Sequence, residues 1–78
     1  MKRVTHSTSL TIHTLGGLEE DASTDMASHA LSELKRGEML IITSERYIPF
    51  HAVEYANVMQ MSSGAVVGTA IVGQAQVG

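Results

Sequence analysis

Cysteine and tryptophan are absent from this 78-residue chain, and there is a single proline. Without cysteine there can be no disulfide framework, no thiolate zinc site and no cysteine nucleophile. A domain this short buries a modest share of its unfolded surface, so it usually needs a staple; with disulfides excluded, self-association is the one expected here. Long apolar runs are also missing. No stretch reaches the ~18 consecutive apolar residues of a membrane-spanning helix, and the opening MKRVTHSTSL follows its basic pair with polar residues, unlike a secretory signal. The expected location is the cytoplasm.

Positive charge is scarce: five Lys and Arg face eight Asp and Glu, for a net charge of -3. The distribution is uneven. Glu19, Glu20, Asp21 and Asp25 form an acidic run, and after Arg46 the only charged residue is Glu54. Nucleic-acid binding draws on a basic face that neutralises phosphates. Lys2, Arg3, Lys35, Arg36 and Arg46 are the cations available for one, so a DNA-associated regulator is the weakest of the readings the composition allows.

What is present divides into recognisable elements. From Arg3 to Thr14, Val4, His6, Thr8, Leu10, Ile12 and Thr14 alternate with a polar set, a period of two that predicts a half-buried strand. Leu15 to Gly17 break it. STDMASHALSELKRG predicts a helix capped by Ser23 or Thr24, with Lys35 and Arg36 at the negative end of its dipole and Gly37 as its left-handed terminator. Met26, Ala27, Ala30, Leu31 and Leu34 span an arc of about 140° on that helix. Met39 to Ile42 read as a central strand buried on both faces, and Ser44 to Arg46 as a turn into a second hairpin arm at Tyr47 and Ile48. Pro49 marks that arm as an edge. A turn at His51 to Glu54 and a last strand from about Tyr55 to Met61, with a bulge, complete the order β-α-β-β-β. The expected class is a small α+β domain over residues 1–61, one helix on a mostly antiparallel sheet, followed by an uncharged Gly/Ala/Val-rich tail over 62–78. Charge-free, β-prone and without proline, that tail is an aggregation hazard if bare, so a partner or a neighbouring subunit is expected to cover it.

The polar residues make a weak case for catalysis. His6, His13, His29 and His51 are scattered and offer no tight local pair of ligands, so no metal and no cofactor is expected. Ser7, Asp25, His51 and Glu54 can be assembled into a triad only on paper, because no nucleophile elbow accompanies them. LGGLEEDAS places carboxylates where a phosphate loop needs backbone donors and positive charge. His29 and Glu33, one turn apart, are expected to pair on the helix surface. No enzymatic activity and no small-molecule substrate is expected.

GEMLIITSERYIPFHAVEYANV, residues 37–58, resembles segments of small, mostly uncharacterised proteins encoded by phages and other mobile elements. The resemblance covers roughly a quarter of the chain; it carries over no functional residue, implies a host-interacting or particle-associated role, and would make the host cytoplasm the location. Together these observations lead to the expectation of a non-enzymatic protein-protein interaction module that binds another protein, itself, or both. Tyr47, Phe50, Tyr55, Met59 and Met61 are the candidate partner-binding residues, on an open edge near Tyr47 to Phe50 and on the last strand. A structural subunit of a larger assembly, such as a virion, using the C-terminal tail is the alternative.

Overall fold

A computed structural model of the chain describes residues 6–63 and 65–73. The expected start of the first strand at Arg3, the cations Lys2 and Arg3, Gly64 and residues 74–78 lie outside the described residues. Two antiparallel sheets and one helix make up a small α+β domain. The larger sheet has the spatial order β2-β1-β5-β6, formed by β1 (His6–Thr14), β2 (Glu19–Asp21), β5 (Val53–Ser62) and β6 (Ala65–Val72). Between β2 and β5 the chain makes α1 (Ala27–Arg36) and a separate two-stranded sheet, β3 (Leu40–Thr43) with β4 (Arg46–Ile48).

Alternation decides which face of the large sheet is covered. Leu10 and Ile12 on β1 lie opposite Val58 and Ala56 on β5, and all four are buried. Ala27, Ala30, Leu31 and Leu34 form the buried stripe of α1 in the same core, with Leu40, Ile42 and Ile48 of the small sheet. The helix ends as expected: Gly37 takes φ 71°, its N–H donates to the Leu34 carbonyl and the Glu38 N–H to the Glu33 carbonyl, a paired closure that satisfies otherwise orphaned carbonyls.

Its start differs from expectation. Neither Ser23 nor Thr24 caps it with a side chain; Met26 occupies the N-cap position, and no acidic residue lies in the first turn. The Ser23 carbonyl instead accepts from the N–H groups of Met26 and Ala27, so a backbone turn leads into the helix. The same residue donates its own N–H to the Ile42 carbonyl at 2.7 Å, tying the helix entry to β3.

Two strands exceed the expected order. The acidic run Glu19–Asp21 forms β2 because the Gly16-Gly17 turn, with Gly17 at φ 87°, folds the chain back on β1. Thr11 Oγ1 then donates to Asp21 Oδ1 at 2.8 Å. Residues 65–72, expected within a tail, pair with β5 from Ala56–Val72 to Ser62–Ala65 and form the far edge of the sheet. The Met39–Ile42 run is not a central strand: β3 pairs only with β4, Leu40 and Ile42 are buried, and Ile41 and Met39 are exposed. The turn expected at His51 to Glu54 is a 3-10 turn at Phe50–Ala52, and the strand after it already begins at Val53. The pairing steps from His13–Tyr55 to Thr14–Val53, passing over Glu54. That bulge reverses the alternation, which is why Val53 is buried along with Ala56 and Val58 although its number is odd.

Candidate interaction surface

Only one face of the large sheet carries the helix. The other presents rows of side chains set by register: Glu19, His13 and Tyr55; Asp21, Thr11, Asn57 and Ile71; Ser9, Met59 and Thr69; and Ser7, Met61 and Val66. The first two rows are polar toward β2, and the apolar residues gather toward β6, where Val66 and Ile71 are 58% and 51% exposed and Met59 40%.

The polar end is tightly organised. His13 stacks on Tyr55 with ring centroids 4.3 Å apart and an interplanar angle of 15°. Its Nε2 lies 3.2 Å from Asn57 Nδ2, and its Nδ1 3.7 Å from Glu19 Oε2. With the Asn57 amide donating, Nε2 is the acceptor and Nδ1 carries the proton toward the Glu19 carboxylate. The imidazole is thus engaged at both nitrogens and on one ring face, which holds Tyr55 flat on the sheet. Sequence reading missed this set, because it depends on the long-range register of β1 against β5 that brings His13 opposite Tyr55.

The five candidate binding residues divide between two places. Tyr55, Met59 and Met61 lie together on the open face of β5. Tyr47 sits outward on β4, opposite Ile41 and 63% exposed. Phe50 is half-buried, packed on the core, with its ring about 4 Å from where a Cβ on Gly37 would lie. The edge near Tyr47 is three residues long and ends at Pro49, so it offers little backbone for an added strand. The long open edge is β6.

The remaining polar residues are engaged in ways that favour structure. Glu33 is buried, and its Oε1 accepts the Ile41 N–H at 3.0 Å, fastening α1 to β3; His29 lies 3.7 Å from the other carboxylate oxygen. Arg46 pairs with Glu20, and Arg36 Nε with Glu38 Oε1 at 3.0 Å, leaving Lys35 the one Lys or Arg among the described residues with no carboxylate in salt-bridge range. No group of three or more His, Asp or Glu side chains converges as a metal site among the described residues, and none of their helices is long and apolar enough to cross a membrane. No protein-family model, no curated protein and no solved structure matches the chain.

Proposed function

We propose that this protein is a small non-enzymatic protein-protein interaction module, working through the open face of the large sheet and its neutral edge, and that it self-associates. The observation that carries the reading is the concentration of exposed apolar side chains, Met59, Val66 and Ile71, on a face that the helix leaves uncovered. Exposed apolar groups that cluster on one surface, unlike those scattered singly, mark interaction sites. Met59 adds the adaptability of an unbranched thioether, and Tyr55, immobilised by His13, supplies an aromatic anchor whose ordering entropy is spent before any partner arrives. The resemblance of residues 37–58 to phage and mobile-element proteins fits a role in contacting host or particle proteins.

Site-specific photo-crosslinking tests this. A benzophenone side chain introduced at Ile71 or Met59, in cells that make the protein naturally, is expected to give protein adducts, whereas the same group at Ser32, on the outer face of the helix, gives none. Equal labelling at all three positions, or none at any, contradicts the proposal.

A further inference from the structure

The two edges of the large sheet are built to opposite rules. β2 is three residues long and wholly acidic, and its Glu20 is held by Arg46 from the small sheet. β6 is eight residues long and has no charge and no proline; its sequence is AVVGTAIV, and it hydrogen-bonds to one neighbour, β5. Sheets protect exposed edges with short strands, charges or proline. β2 has two of these protections; β6 has a single interruption, the bulge at Val67 where the pairing steps from Gln60–Gly68 to Met61–Val66.

Gly68 supplies an independent observation. A Cβ built there meets nothing within 4 Å, and its φ lies outside the left-handed range, so neither space nor backbone conformation within this chain calls for glycine. Glycine inside a strand weakens it, and where the chain itself has no use for the missing side chain, a close approach by another backbone is the remaining physical gain.

We propose that the β6 edge is the seam of a symmetric dimer: a second copy of this chain adds its own β6 antiparallel, joining two four-stranded sheets into one of eight strands. Charge selects this occupant. A twofold pairing places neutral strand against neutral strand and carries the two acidic β2 edges to opposite ends, about 34 Å apart at ordinary strand spacing and well beyond the screening length of roughly 8 Å at physiological salt. Stacking β6 on β2 instead would pair only three residues and would propagate without closing; the β6-β6 contact uses up the open edge on both copies and stops at two. Matching the faces of the two strands requires the twofold axis to run between two copies of the same residue, and an axis at Thr69 overlaps residues 66–72 while keeping Gly68 opposite Ala70 and Thr69 opposite its own copy, on the regular side of the bulge at Val67. The two open faces then merge, bringing Met59 and Ile71 of each copy onto a single surface.

The proposal deepens the reading of this sheet as a contact surface, and two measurements separate them. Sedimentation equilibrium of the full chain should give a dimer, and Thr69→Lys, which opposes two ammonium groups at the axis, should raise the dissociation constant at least about tenfold while leaving the far-UV spectrum intact. Because the chain has no native cysteine, Thr69→Cys gives a clean second probe: directly opposed Cα atoms about 4.5–5.5 Å apart lie within disulfide reach, so mild oxidation should yield a covalent dimer. A parent chain monomeric to about 1 mM, a dimer indifferent to Thr69→Lys, or a dimer that Thr69→Cys fails to cross-link overturns the proposal. If the chain is monomeric while Ile71 photo-labels another protein, the seam is wrong and the contact surface stands.

Discussion

The two edges of one sheet, β2 and β6, hydrogen-bond to its inner strands in the same antiparallel manner yet differ in length, charge and exposure. β2 holds three carboxylates, one of them bridged to Arg46, and is sheltered by charge. β6 has Val66, Val67 and Ile71 turned largely to solvent and nothing to repel an incoming strand. A small domain without disulfides thus divides its boundary into a short edge sheltered by charge and a long neutral edge left open. The asymmetry also separates association from aggregation, since a sheet open at both edges grows and a sheet open at one edge pairs and stops.

The comparison breaks most completely if β6 is removed. A chain ending at Ser63 loses every pairing partner of β5 on that side, from Ala56–Val72 to Ser62–Ala65. Val58 and Ala56 then lose the strand that flanks them, and the cooperative thermal transition is expected to be lost or severely lowered, as followed by circular dichroism. A transition equal to that of the full chain would show that β6 is an appendage. Next in size is Gly73→Ala. Gly73 has φ 140°, and a Cβ there would stand 2.8 Å from the Tyr55 Cα and 3.3 Å from the Glu54 carbonyl oxygen. Both contacts are backbone, so the strand end must shift; strain of this kind costs about 1–3 kcal/mol, measurable by urea unfolding, and the dimer should weaken with it.

Much of this arrangement was legible in the residues. The α+β class, the helix with its buried stripe and Gly37 terminator, the β3-β4 turn and the first strand's alternation all follow from local periodicity and from turn chemistry, which the neighbours of each segment do not override. What escaped depended on distant partners. Glu19–Asp21 have poor strand propensity, and only pairing with Thr11 to His13 makes them a strand. AVVGTAIV has the composition of a linker as much as of a strand, and its place beside β5 is a long-range choice. Among the candidate contact residues, Tyr55, Met59 and Met61 share a face because alternation from Tyr55 onward is regular, whereas Tyr47 and Phe50 belong to other parts of the molecule. The His13-Tyr55-Asn57 set needed the register of β1 against β5, which no local pattern encodes.

Two smaller effects sharpen the contrast between the edges. Neutralising β2 through Glu19→Gln, Glu20→Gln and Asp21→Asn together removes its protection by charge, and light scattering at high concentration should then detect weak association beyond the dimer. A mass that stays fixed at two would assign the protection of that edge to its shortness alone. Glu20→Gln by itself removes the bridge to Arg46, a partly exposed pair whose loss should change stability by less than about 1 kcal/mol and leave the dimer intact. A larger loss would make β2 part of the structural core.

The most direct test is residue-resolved amide hydrogen exchange along both edges at protein concentrations below and above the midpoint of association. On this account the outward-pointing amides of Ala65–Val72 gain protection as concentration rises, while those of Glu19–Asp21 exchange at the same rate throughout. Protection of β6 that does not vary with concentration, or a gain at β2 instead, would contradict it.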